Sequence, residues 1–458
     1  MSPLIQDQFK TNRYEKVIAG GGDLFFSRLA GISRVSRLSF KGWDDHLKII
    51  WDTGANVIGP ILFLFMLWVF EKAKQMGLKR LYFISRDGQI LNKIAQLMNT
   101  KWGFNVDCRY LYGSRQAWFF PASENSIESE LEGIFLYRIQ TVQSICSQII
   151  QEPDILRPEL VSAGFVESTW SNPLDLVQQE RLKECLLSDA VQNKIEKRKL
   201  ETRNTTLGYL IQEKLYSDTA FGFVDFGWTG KSLGAVSKIL SLSGYDFNLP
   251  LRGFYFGLSN QSSKVKNVEL NSFMFKDEAQ FRGITSAFMQ LLEIFACADH
   301  SSLKYYKKSG SHFEPVLKGN GKNINLNWGI LTQHSSVLNF VETFIQSCKY
   351  QVINKEIVQK VVKKLLLLFM KDPEKSEAEA YGKYRFSSSK IESDMREIAP
   401  VLDTRSLIRY IFGKKIYREI GDIWIEGAVT RSLKKKKSLI HFILRIRRKL
   451  GIIKRKLF

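Results

Sequence analysis

Three short loops carry the residue types from which a phosphate-handling site can be assembled. Asp225-Phe226-Gly227-Trp228-Thr229-Gly230-Lys231-Ser232 follows the apolar run AFGFVDF and leads into the helix-patterned segment LGAVSKILSLSG. An Asp at the end of an apolar strand can accept hydrogen bonds from vicinal hydroxyls. The Thr-Gly-Lys-Ser turn offers backbone N–H groups, two hydroxyls and one positive charge to a phosphate. Ser85-Arg86-Asp87-Gly88 follows LKRLYFI, and Ser114-Arg115-Gln116 follows CRYLY. Each of these places an arginine where it can make paired hydrogen bonds to phosphate oxygens, and Gly88 allows the backbone a close approach.

Every one of these features has a plainer use. An Asp after a strand is often a helix cap, Arg86 can simply pair with Asp87, and Arg115 can cover an exposed face. Thr-Gly-Lys-Ser ends like a P-loop but lacks the upstream glycine at P-loop spacing, which disfavours a kinase-type site. Recurrence of the pattern at three strand ends favours the functional reading.

Loops of this kind need strands behind them. LKRLYFI, CRYLY, AFGFVDF and LRGFYFGLS are near-continuous apolar runs separated by helical periodicity, as in QILNKIAQLMN and in the stretch opening at Gly59-Pro60. Strands without apolar/polar alternation, alternating with helices, predict an α/β fold with a mostly parallel sheet covered on both faces. Ligands of such sheets sit beyond the carboxyl ends of the strands. The pattern divides the chain into an N-terminal extension (1–50), an α/β core (51–306) with a helical insertion at about 122–218, a helical C-terminal region (307–430) and a basic tail (431–458). Within the third part, 307–327 reads as polar loop, 350–371 as helix and 372–400 as charged linker.

The 458 residues hold 67 Lys plus Arg against 46 Asp plus Glu, a net charge of +21. Twelve basic and no acidic residues lie between Arg431 and Phe458. Leu439, Ile440, Ile443, Leu444 and Ile446 are interleaved with them, so a helix there can lay aliphatic groups on a bilayer while Arg445, Arg447, Arg448 and Lys449 meet anionic headgroups. A nucleic-acid arm usually carries fewer aliphatic residues, and no nucleic-acid partner is expected; the other alternative is a solvated helix with no partner. The start of the sequence lacks an apolar signal region, and the apolar run Val57–Phe70 is shorter than the ~20 residues a spanning helix needs. The expected location is cytoplasmic, peripheral on the inner face of the cell membrane. Five scattered cysteines without CxxC spacing argue against a disulfide framework, and five histidines without ligand spacing give zinc no support. Asp299-His300 reads as a surface pair.

FVDFGWTGKSLGAV resembles the PRPP loop of type I phosphoribosyltransferases, and GLKRLYFISRDGQILNKIAQLM resembles the first strand, pyrophosphate loop and helix of that fold. Taken together, IGPILFLFMLWVF, YFISRDGQIL, YLYGSRQA and VDFGWTGKSL resemble a domain of bacterial polysaccharide gene clusters that often lies behind a HAD-type phosphatase domain. That domain is associated with PRPP-dependent glycan phosphoribosyltransferases. The resemblance covers roughly residues 50–300. It implies a Rossmann-like sheet of the type I phosphoribosyltransferase kind, Mg²⁺ as cofactor, and transfer of 5-phosphoribofuranose from PRPP to a glycan hydroxyl with inversion, for O-antigen or capsule. The implied partners are an acceptor carried on a lipid and a HAD-type phosphatase.

The resemblance also implies roles. Asp225 corresponds to the second acidic residue of the PRPP motif and contacts ribose hydroxyls, while Thr229, Gly230, Lys231 and Ser232 surround the 5-phosphate and Gly227 and Trp228 belong to the same PRPP-binding loop. Ser85, Arg86 and Gly88 form the pyrophosphate loop, and Arg115, preceded by Ser114, neutralises the leaving group. Val224 stands at the family's first acidic position. Asp87 is a candidate general base by its place in the loop. Glu293, in AFMQLLEIFA, is either an acceptor-side carboxylate or a buried Glu paired with Arg282 or Arg252, the pairing being slightly preferred. Trp118, Phe119, Phe120 and Trp228 can stack on sugars or, more commonly, pack in the core. Two alternatives stay open. One is a HAD-like phosphatase, which lacks the Asp-x-Asp pair its chemistry needs; the other is an inactive membrane-associated assembly protein that has kept the fold.

Overall fold

The most apolar segment of the chain becomes its central helix. In the computed structural model, the described residues are 11–124, 128, 131, 140–150, 152–215, 219–244, 250–259, 262, 265–276, 286–386, 395–411 and 423–433. The helix Gly59–Gln75 carries Pro60 in its first turn, where the missing N–H costs nothing. It is apolar on all sides, and its residues from Gly59 to Phe70 are buried. It continues Asp45–Thr53 through a π-helical turn at Gly54–Ile58. The joined run Asp45–Gln75 is long and apolar enough to cross a membrane, and its apolar window lies wholly inside the fold.

Five parallel strands form the sheet: β1 (Arg80–Ile84), β2 (Asp107–Leu111), β3 (Phe221–Asp225), β4 (Leu251–Tyr255) and β5 (Val268–Ser272), in the order β2-β1-β3-β4-β5. The chain is therefore mixed α/β with an all-parallel sheet. Alternation along each strand feeds two cores. Leu81, Phe83, Val224 and Phe254 face the helices Gly59–Gln75, Gly88–Trp102 and Leu326–Ser347. Tyr82, Ile84, Leu111 and Phe223 face Arg115–Ala122, Asp189–Gln212 and Lys231–Leu242. Burial on both faces explains why these strands lack polar alternation. A third cluster, including Val142, Ile145, Leu160, Leu182, Leu186 and Ile195, gives the helices between β2 and β3 a core of their own.

Several segments differ from expectation, each for a physical reason. β5 escapes a search for apolar runs because VELNS is a half-buried edge strand. The polar stretch 307–327 contains most of an antiparallel hairpin, β6 (Leu303–Ser309) with β7 (His312–Leu317), turning at Gly310. Leu303 and Tyr306 are buried there while Lys307 and Lys308 stay in solvent. The charged stretch 372–400 holds the helix Lys375–Gly382, whose Ala378 and Tyr381 are buried, and a two-residue ladder, β8 (Arg385–Phe386) with β9 (Arg396–Glu397). Residues 13–38 are no loose extension: Tyr14, Ile18, Phe26 and Leu29 join the core of the central helix, and Arg37 pairs with buried Glu15 at 2.9 Å. The membrane-binding expectation for the tail falls on residues 434–458, outside the described residues.

Candidate functional site

The strand order reverses between β1 and β3, because the chain leaves β1 for β2 on one side and returns to build β3, β4 and β5 on the other. A crevice opens at such a reversal beyond the carboxyl ends of the two strands. Phe83 pairs with Val224, so the residues following Ile84 lie level with Asp225 and the turn after it. The sheet alone thus brings the first and third of the sequence-derived loops together. The second follows β2, directly beside β1.

Side chains lock the first two loops to each other. Ser85 Oγ donates to Gly113 O at 2.8 Å and accepts the Gly113 N–H at 3.0 Å. Ser114 Oγ accepts the Ala117 N–H at 3.0 Å, capping the helix Arg115–Ala122, and donates to Leu303 O at 2.9 Å. Both hydroxyls, expected at PRPP, are engaged by protein partners. Gly88 opens its helix so near β1 that a Cβ there would lie 2.6 Å from the Phe83 carbonyl carbon, which leaves room for glycine alone.

Three carboxyl groups lie near enough to the crevice to act on one another's charge. Asp87 is pushed well above the usual carboxylate range by burial, and then by Glu293 and Asp225; Arg86 and Arg115 act in the opposite direction. Asp225 is raised to about 7, chiefly by burial, although its Oδ1 accepts the Phe226 N–H at 2.8 Å and Arg115 favours its ionised form. Glu293 comes from a distant helix, Ser286–Phe295, and its Oε1 accepts the Trp228 indole N–H at 3.0 Å. The carboxylate is exposed rather than buried, and Arg252 pairs with Glu269 at 3.0 Å, so the expected Glu293–Arg252 pair does not form. Arg282 lies outside the described residues. The Glu293 helix is held at its C-terminal end by Gln333 Nε2, which donates to Ile294 O, and His334 Nε2, which donates to Cys297 O, each at 2.8 Å.

The turn after β3 has two kinds of residue. Trp228 is partly core: its ring stacks on Phe275 with centroids 6.1 Å apart, and its carbonyl accepts the Ser259 N–H at 2.8 Å. Gly230 has φ +69°, where a side chain would be strained, and the helix Lys231–Leu242 that follows has no side-chain cap. Thr229 Oγ1 accepts the Lys231 N–H at 3.4 Å, Lys231 is exposed, and Ser232 is half-buried. The Ser85–Arg86 and Gly227–Trp228 peptides are both cis. Gly227 closes on the segment just past β4, where a Cβ would lie 3.0 Å from Gly257 O.

Arg86 and Arg115 are exposed at the first turns of their loops, and both act on Asp87. Val224 is fully buried on the opposite side of β3 from Asp225, in the core against the central helix. Trp118 and Phe120 are buried, with Trp118 Nε1 donating to Tyr306 OH at 2.8 Å, whereas Phe119 is exposed. Among the described residues no group of three or more His, Cys, Asp or Glu side chains is arranged to hold a metal ion. Sequence reasoning missed Gln89 and Tyr110 and took Asp299-His300 for a surface pair, whereas His300 is buried against Tyr110 at the base of the first two loops. The partners of Gln89 and Tyr110 lie some 200 positions away, and no spacing rule joins them. No protein-family model matches the chain, and no curated protein sequence matches it.

Proposed function

We propose that this protein transfers 5-phosphoribofuranose from PRPP to a hydroxyl of a glycan acceptor, with inversion, in the synthesis of a bacterial O-antigen or capsule. The fold would be the doubly wound, Rossmann-like type found in type I phosphoribosyltransferases. The observation that carries the proposal is the meeting of Asp87, Asp225 and the charges of Arg86 and Arg115 at the reversal of a parallel sheet, beside an uncapped helix that opens with Gly-Lys-Ser.

Each group then has a task set by where charge develops. Departing pyrophosphate gathers negative charge while the anomeric carbon becomes cationic, and the guanidinium groups of Arg86 and Arg115 stabilise that separation. Amide groups of the Thr229–Ser232 turn, with Lys231, hold the 5-phosphate. Asp225 accepts from ribose hydroxyls. The acceptor oxygen bonds to the anomeric carbon as the bond to pyrophosphate breaks, the electron pair leaves with pyrophosphate, and the hydroxyl proton passes to a carboxylate. Asp87, with its raised basicity, suits that proton transfer, and exposed Glu293 borders the acceptor side. Attack from the opposite face turns an α-linked donor into a β-ribofuranoside.

Mg²⁺, when bound, would supply further neutralisation of the diphosphate. This ion asks for one or two carboxylates plus phosphate oxygens. Asp225, a hard oxygen donor crowded by a second carboxylate, is the residue that would hold it. A HAD-type phosphatase partner would remove the remaining 5-phosphate, and the tail 431–458 would keep the enzyme at the inner membrane face near an acceptor carried on a lipid.

A second reading, a catalytically silent membrane-associated assembly protein, draws on Val224, whose burial leaves the crevice without the family's first acidic group. Incubation with PRPP, Mg²⁺ and candidate glycan acceptors separates the two. Acceptor-dependent release of pyrophosphate, abolished by chelation, is expected; PRPP binding without turnover on any acceptor would favour the assembly protein.

A further inference from the structure

Asp299 and His300 follow the helix that carries Glu293, and each fastens a different part of the arginine-bearing loops. Gln89, in the first turn of the helix Gly88–Trp102, donates from Nε2 to Asp299 Oδ1 at 2.7 Å and accepts the Asp299 N–H on Oε1 at 3.1 Å. This reciprocal pair ties residue 299 to the loop of Arg86. His300 Nδ1 lies 2.8 Å from Ser301 O, and a carbonyl can only accept, so Nδ1 carries the proton. Nε2 is then the lone-pair nitrogen and accepts the Tyr110 hydroxyl at 2.6 Å.

Tyr110 belongs to β2, immediately ahead of the loop of Arg115, and its ring meets those of Tyr112 and His300 edge-on with centroids 5.1 and 5.8 Å apart. Only 9% of the His300 surface is exposed, so its hydrogen bonds do not compete with bulk water. Ser85 and Gly113 close the circuit by joining the two loops directly.

We infer that Asp299-His300 is a positioning device that holds the Arg86 and Arg115 loops in fixed relation to each other and to the Glu293 helix. Its consequence for catalysis rests on the phosphoribosyl-transfer reading; its mechanical role does not. Loss of the acceptor on residue 300 would leave the half-buried Tyr110 hydroxyl only its hydrogen bond to the Ser85 side chain, loosening the β2 end and through Gly113 the first loop.

The test uses the full chain with His300→Leu, His300→Gln and Tyr110→Phe, read by peptide-resolved amide exchange and by PRPP kinetics. His300→Leu should speed exchange about tenfold in 85–90 and 111–116 while β3 and the central helix stay protected. It should lower kcat about tenfold or more with little change in KM for PRPP, because arginines misplaced in the transition state cost rate rather than ground-state binding. His300→Gln, which keeps an acceptor, should recover most of both effects, and Tyr110→Phe added to His300→Leu should cost less than Tyr110→Phe does in the wild-type chain. Should His300→Leu not fold, Tyr110→Phe removes the same hydrogen bond without changing shape and is held to the same pattern. Unchanged exchange in both loops, or loosening spread evenly over the sheet, overturns the inference. The localised exchange pattern in a protein that never turns over PRPP sustains the positioning role and sinks the transfer reading instead.

Discussion

The indole N–H of Trp228 reaches Glu293 Oε1 at 3.0 Å, joining the turn after β3 to a helix 65 positions further along. Because the Trp228 ring is held flat against Phe275, the bond fixes where the carboxylate stands at the mouth of the crevice. Trp228→Phe keeps the ring stack and removes the donor. It is expected to raise KM for the glycan acceptor about tenfold, the value of one hydrogen bond to a charged group. Initial rates at varied acceptor check this; an unaltered acceptor KM separates Glu293 from acceptor binding.

Asp225→Asn should lower turnover about 100-fold or more. It should also stabilise the fold above neutrality. The folded-state value of about 7 lies above the ordinary 3.8, so between those values the folded chain keeps a proton that the unfolded chain has lost. Stability therefore falls as pH rises through that window and levels off above it. Below pH 3.8, where both states hold the proton, the variant should melt with the wild type, and at pH 8 about 2–4 °C above it, by calorimetry. Equal melting at both pH values would show that Asp225 carries an ordinary carboxyl.

Arg115 favours the ionised forms of Asp87 and Asp225. Arg115→Ala should move the acid limb of the rate profile to higher pH as well as slowing the reaction. Arg86→Ala should act mainly on pyrophosphate departure and lower kcat about 100-fold. Single-turnover rates across pH 5–9 distinguish the two; an unmoved acid limb in Arg115→Ala would disconnect that guanidinium from the carboxyl pair.

Removal of residues 434–458 should abolish binding to vesicles containing anionic lipid and leave the low binding to neutral vesicles as it is, with the loss reproduced in the intact chain by raised salt. Co-sedimentation measures it. Equal binding by the full and shortened chains would dismiss the tail as a membrane contact.

Much of the scaffold could be read from local pattern. Gly59-Pro60 marks the start of the central helix because proline suits a first turn, and β1 and β3 stand out as unbroken apolar runs because both of their faces are covered. Elements with one wet face escaped. β5 and the hairpin β6–β7 put too few apolar residues inward to rise above their polar neighbours, and the helix Lys375–Gly382 hides a buried Tyr381 among charges. The N-terminal helices looked peripheral because nothing local announces that Tyr14 and Phe26 pack against the central helix.

By itself, the sequence determined that three strands of an α/β sheet end in loops bearing Asp225, Arg86 with Asp87, and Arg115, since strand propensity and loop composition act over a few residues. Only the tertiary structure decided that two of those loops flank the reversal of the sheet, that Ser85 and Ser114 are spent on joining and capping, that Val224 turns into the core, and that Glu293 and His300 arrive from elsewhere. Strand order and contacts across 65 to 200 positions follow from how whole faces bury one another, and that information lies in no single stretch of the chain.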